Sequence, residues 1–197
     1  MVLLTAKHIQ KRFSEKQLLE DINLSIHLGD KIGLVGVNGS GKSTLLQIIA
    51  GAMEEDAGEI LRSNELRIGY LPQNPDFEPE ATVLEQAMEY VQGAVPEYVV
   101  KTLLTKLRMN MFDRKMKELS GGQRKRVAMA AVMCRDTNLL ILDEPTNHMD
   151  NDIIEWLEEQ LENYKGSVLM ITHDRYFLER VTNHICEIEK GALVSYE

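Results

Sequence analysis

A chain of 197 residues with 44% hydrophobic and 27% charged residues has the make-up of one soluble globular domain with a real core, which excludes disordered, collagenous and membrane-spanning classes. Its formal net charge of -9 is spread along the chain and argues against a dedicated nucleic-acid binder, because neutralising phosphates supplies most of that affinity. Cys134 and Cys186 belong to no metal-spaced set and read as reduced, partly buried thiols; with no signal-peptide core after Met1 and no 18-residue apolar run, a cytoplasmic location without membrane insertion is expected.

In chain order, the first 30 residues read as strands joined by short turns, with INLSIH (22–27) among them, and predict an antiparallel flank. KIGLVG (31–36) is a strand that runs directly into the helical pattern GKSTLLQIIA (41–50), and LRIGYLP (66–72) is the next strand. Between Gln73 and Leu119 the composition turns helical and charged, with breaks at Pro79 and Pro96, which predicts an inserted helical subdomain. GGQRKRVAMAAVMC (121–134) is a helix, followed by the strand LLILD (139–143), the helix NDIIEWLEEQLENY (151–164) and the strand SVLMIT (167–172). Both strands are apolar nearly throughout, as strands buried on two faces should be. The tail CEIEKGALVSYE again carries a hairpin pattern. This alternation implies an α/β fold with a mostly parallel core sheet, flanking antiparallel strands and a short helical subdomain.

GVNGSGKS at 36–43 matches G-x-x-x-x-G-K-[ST] between a strand and a helix, the arrangement of a P-loop NTPase. Gly36, Val37, Asn38, Gly39, Ser40 and Gly41 can wrap an anion closely, with amides and the dipole of the helix start aimed at phosphate. Lys42 then reaches the outer phosphates, the Ser43 hydroxyl ligates magnesium, and Thr44 beside it is a further nucleotide contact. In LLILDEPTNH, Asp143 ends a buried strand where an acid holds magnesium, and Glu144 is free to polarise an attacking water as general base. His173 lies just past SVLMIT, and ligands of parallel sheets gather at such strand ends, so it is expected to contact phosphate there. Gln73 follows a strand too, and its amide is a candidate contact for the metal or the attacking water. Phe13, 29 residues before Lys42, either stacks on adenine or is a core phenylalanine. Arg124, Lys125 and Arg126 point in different directions on a helix, so they form no phosphate-tracking row and are expected to be solvated or ion-paired.

Taken in order, Phe13, GVNGSGKS, Gln73, LSGGQ (119–123), LLILDE, Asp150 and His173 resemble the nucleotide-binding domain of the ABC ATPases, over the whole chain. DEPTNHMD (143–150), with Met149 where the branch has leucine, and the tail from Thr172 are similar to the ABC-F proteins, particularly Uup-like members. Those are soluble ATPases that usually carry two such domains and act on ribosomes. The resemblance implies that residues 1–197 form one ATP-binding domain, with a helical subdomain over about 79–134, that takes ATP and Mg2+ and hydrolyses ATP. It also implies head-to-tail pairing with a second ABC domain, in which Ser120, Gly121, Gly122 and Gln123 close over the partner's ATP. Physical chemistry agrees: Ser120, Gly121 and Gly122 open a helix, so their free amides and its dipole form a second anion site. Two departures from the family's pattern stand out. Only 45 residues separate Gln73 from Leu119, fewer than a first ABC-F domain would carry, and the resemblance predicts continuation beyond Glu197 into a linker and second domain. An excised domain with a shortened helical insert is therefore expected, with the ribosome as partner of the full-length protein. The ATP-binding subunit of a membrane transporter and a nucleotide-gated binding module are the alternatives.

Overall fold

The computed structural model describes residues 1–196; Glu197, the last residue of the expected domain, lies outside the described residues. Strands β1 (Val2–Phe13) and β2 (Lys16–His27) form an antiparallel hairpin, the early flank read from the sequence. Strand β3 (Lys31–Val35) leads into helix α1 (Lys42–Ala50). An exposed edge strand, β4 (Ala57–Arg62), pairs antiparallel with β1, and β5 (Ile68–Leu71) returns to the parallel core. Then come α2 (Val83–Val91), α3 (Glu97–Lys106), a single 3-10 turn at Met116–Glu118 and α4 (Gly121–Cys134). The chain finishes with β6 (Leu139–Asp143), α5 (Asn151–Asn163), β7 (Ser167–Ile171), α6 (Arg175–Val181), β8 (His184–Glu189) and β9 (Ala192–Tyr196).

The nine strands make one sheet in the order β4-β1-β2-β9-β8-β3-β7-β6-β5. From β8 to β5 all neighbours are parallel, whereas β9 pairs antiparallel with β8 and the β1–β2 hairpin lies beyond it. The fold is thus the α/β P-loop NTPase architecture, with a mostly parallel core, antiparallel flanks and helices between β5 and β6.

Alternation along the central strands divides the core into two layers. Leu140 and Leu142 of β6, with Val168 and Met170 of β7, pack beneath α2 to α6. Leu139, Ile141, Leu169 and Ile171 face the other way, toward α1 and the hairpin. All eight are essentially inaccessible, and each fully buried side chain of this size stabilises the fold by about 1.5–3 kcal/mol.

Local chemistry starts the helices of the inserted segment. Thr82 accepts from the Glu85 amide at 3.2 Å while the Glu85 carboxylate accepts from the Thr82 amide at 2.8 Å, a capping box that opens α2. Pro96 precedes α3, where its missing N–H removes no helical bond. Val91, Val100 and Leu104 share one apolar cluster with Val127 and Ala131 of α4, so the insert rests on the domain's own helix. Both cysteines are free, Cys134 half-buried and Cys186 buried, and burial pushes the Cys134 thiol up to about 11. Among the described residues no helix is long and apolar enough to cross a membrane.

Candidate functional site

The carboxyl ends of β3, β5, β6 and β7 border a crevice of about 300 Å3. Asn38, Gly39, Gly41, Lys42, Ser43, Thr44, Gln73, Asp143, Glu144 and His173 line it, with Leu18 and Ile171 in addition. Gly36, Val37 and Ser40 shape the loop without lining this space. Phe13 does not line it either and is no core residue: 47% exposed at the end of β1, it has the Lys11 ammonium 5.8 Å above its ring.

Gly41 makes the loop possible. It stands at the N-cap of α1 at φ 104, and a Cβ there would lie 2.7 Å from Leu19. The cap supplies no side-chain acceptor, so the first amides of α1 face the crevice as an anion site. Lys42 folds back, its ammonium donating to the Gly36 carbonyl at 2.8 Å and the Val37 carbonyl at 3.0 Å. The cation expected at the outer phosphates here spans its own loop.

Asp143 is 1% exposed at the tip of β6, and one carboxylate oxygen has no hydrogen-bond partner. Burial raises its pKa, while the Ser43 hydroxyl, Lys125 and Lys42 draw it back down. An orphaned carboxylate oxygen, a serine hydroxyl and the Gln73 amide in one crevice are hard oxygen donors of the kind magnesium takes alongside phosphates. Glu144 follows at φ 51, a left-handed conformation that is strained for a side chain of its size. Its amide donates to the Ile171 carbonyl at 2.9 Å, and its carboxylate lies 3.1 Å from His173 Nε2, leaving the other oxygen buried and unpartnered.

None of Ser120, Gly121, Gly122 and Gln123 lines the crevice. The Ser120 hydroxyl accepts from the Gln123 amide at 3.2 Å, and the Gln123 side chain accepts from the Ser120 amide at 3.0 Å. This capping box corrects one expectation: the Ser120 amide is engaged, so Gly121 and Gly122 supply the open donors at the start of α4. Gly122 touches the loop after Glu144 so closely that a Cβ would lie 2.9 Å from the His148 Cβ. Asp150, at the N-cap of α5, is held by Arg108 at 3.1 Å and Arg126 at 3.5 Å.

The basic run divides three ways. Arg124 stacks 4.2 Å from the Phe77 ring centroid and Arg126 pairs with Asp150, but Lys125 is 3% exposed. Its ammonium donates to the Asp143 carbonyl at 2.7 Å and the Gln73 carbonyl at 3.3 Å. It is neither solvated nor ion-paired as expected, because carbonyls at two loop entrances replace its water. A signal for this existed in the spacing: Lys125 is three residues after Gly122 and four before the buried Met129, on the inward face of α4.

A family model described as ABC transporter matches residues 19–147. Over an aligned span of 237 positions the chain is 39% identical to the uncharacterized ABC transporter ATP-binding protein YfmR of Bacillus subtilis (strain 168), covering 100% of this chain and 38% of that protein. It is 35% identical to the energy-dependent translational throttle protein EttA of Escherichia coli (strain K12), covering 93% of this chain and 40% of EttA. The chain therefore spans between 38% and 40% of the length of these two relatives. The 237-position span also exceeds the chain's 197 residues, so YfmR carries additional residues inside the matched stretch. Among solved structures, the dimeric structure of a bacterial ABC transporter cassette superposes with a TM-score of 0.85 at 23% identity, covering 99% of this chain and 98% of that one. That likeness is one of fold.

Proposed function

The chain belongs to the ABC transporter family, and from that premise we propose that it is an ATP-binding domain that hydrolyses ATP in a site completed by a second ABC domain. One observation carries the reading: the Glu144 carboxylate faces His173 at 3.1 Å over the phosphate loop, while the start of α4 lies outside that crevice.

The amides of α1 hold the phosphates, and Lys42 exchanges its loop carbonyls for the outer phosphate oxygens. Ser43 and Asp143, with Gln73, would hold a magnesium ion, which would neutralise charge on those oxygens. Glu144 takes the proton of the attacking water, and His173 fixes the orientation of its carboxylate. Phe13, exposed at the end of β1, offers its face to adenine. The Gly121 and Gly122 amides of one domain close over the ATP of the other, with Ser120 and Gln123 framing them.

Residues 1–197 constitute this domain, and the segment 79–134 is its helical subdomain. The DEPTNHMD loop and the similarity to a protein named as a translational throttle support an ABC-F protein acting in the cytoplasm with the ribosome as partner. The short interval of 45 residues between Gln73 and Leu119 supports a shortened insert here. A transporter subunit is the second reading, favoured by the description of the family model.

Glu144→Gln tests both levels. Turnover should fall by about 10²- to 10⁴-fold, the usual worth of a general base, with ATP affinity retained; unchanged turnover removes Glu144 from the chemistry. With ATP, the same variant of the intact protein should sediment with ribosomes. Recovery with an integral membrane protein instead would establish the transporter reading.

A further inference from the structure

The geometry points to Lys125 as a positioning residue that sets the orientation of the general base. This inference rests on the proposed hydrolysis by Glu144 and adds a residue that acts through it.

Lys125 stands in the second turn of α4, and its buried ammonium joins three segments. The helix provides it, the Gln73 carbonyl after β5 accepts at 3.3 Å, and the Asp143 carbonyl at the tip of β6 accepts at 2.7 Å. A buried ammonium without acceptors would be strongly unfavourable, so these two carbonyls are what make its placement possible. Burial pulls its pKa down, and the nearby Asp143 and Glu144 carboxylates pull it back up.

The Asp143 carbonyl belongs to the same peptide unit as the Glu144 amide. That amide donates to the Ile171 carbonyl of β7 at 2.9 Å. One peptide plane is thus pinned at both ends, by Lys125 on its oxygen and by Ile171 on its nitrogen. Rotation from that plane defines φ of Glu144, which sits at 51°. A strained backbone angle persists only where its surroundings over-determine it, and Lys125 is the side chain that does so here. The same ammonium links the helix whose first amides face the partner's nucleotide to the carboxylate that acts on this chain's own.

Without that donor, the Asp143–Glu144 peptide is free to turn, Glu144 relaxes from its left-handed angle, and its carboxylate leaves His173. Chemistry suffers while the phosphate loop, which Lys125 does not touch, still holds ATP. The adjoining cavity of about 220 Å3, bordered by Lys125, Gln73 and His148, has room for a larger head with the same charge.

The test uses the intact protein with Lys125→Met, which keeps the stem and removes the donor, and Lys125→Arg, which keeps both charge and donors. Turnover number, KM for ATP and Tm are measured for each, together with Glu144→Gln and the Glu144→Gln/Lys125→Met double variant. Lys125→Met should lower kcat by about 10²-fold, the cost of a misplaced catalytic group, with KM unchanged, and Lys125→Arg should recover most of the loss. Because Lys125 acts through Glu144, the double variant should be no slower than Glu144→Gln alone. Wild-type turnover in Lys125→Met, an equal defect in Lys125→Arg, or multiplying defects in the double variant would overturn the inference. A wild-type protein without ATP turnover would instead sink the hydrolysis reading and this inference with it.

Discussion

At the residue scale, Asp143 is the most exposed to test by a change of one atom. Its carboxylate is buried, its pKa is raised from 3.8 mainly by burial, and one of its oxygens is unpartnered. Such a group contributes its full stability below the unfolded pKa, and that contribution is lost as pH rises through the raised folded value. Asp143→Asn should therefore raise the Tm of the nucleotide-free protein near neutral pH, and the gain should vanish well below the ordinary carboxylate range, where the carboxyl is protonated in both states. A lower Tm at neutral pH would contradict this. That Asp143, Glu144 and His173 border one crevice was legible because each is a polar residue ending an apolar run, a pattern with few structural uses. Lys125 was less so: a basic run on a helix looks solvated, and only its helical spacing from Gly122 and Met129 marks the inward face of α4. Phe13 shows the limit from the other side: the sequence left stacking and core packing open, and exposure removes only the second.

Among elements, α4 has two tasks at its first turn. Ser120 caps the helix through the Gln123 amide, and the proposed role adds contact with a partner's ATP. Ser120→Ala should cost about 1 kcal/mol of stability as a lost cap, seen as a modest fall in Tm. It should impair turnover and leave ATP binding by the same chain intact, read by nucleotide titration. A loss of affinity as large as that of a Lys42→Ala variant would show that Ser120 serves its own chain's nucleotide. The central strands and main helices were readable because their apolar periodicity is long and bounded by turn residues. Strand ends were less so: KIGLVG stops at Val35 because Gly36 turns at φ 146, and LRIGYLP pairs only over Ile68–Leu71. Edge strand β4, with most of its side chains in solvent, lacks the apolar alternation that marks a buried strand.

For the whole molecule, hydrophobic pattern decides which faces are buried but not which strand lies beside which. The mixed sheet was legible as parallel centre and antiparallel flanks. The insertion of β9 between β2 and β8 was not, since that neighbour lies most of the chain away and its ladder with β2 has a single register pair, Asp21 and Ala192. The start of α4 does not line the phosphate crevice of its own chain, and the central claim is that a second domain brings its own α4 to that crevice over ATP. Hydrolysis rate per chain, measured for the 197-residue chain across a wide range of protein concentration, tests this most directly. A shared site predicts a rate per chain that rises with concentration and levels off as pairing saturates; a constant rate per chain would contradict the account.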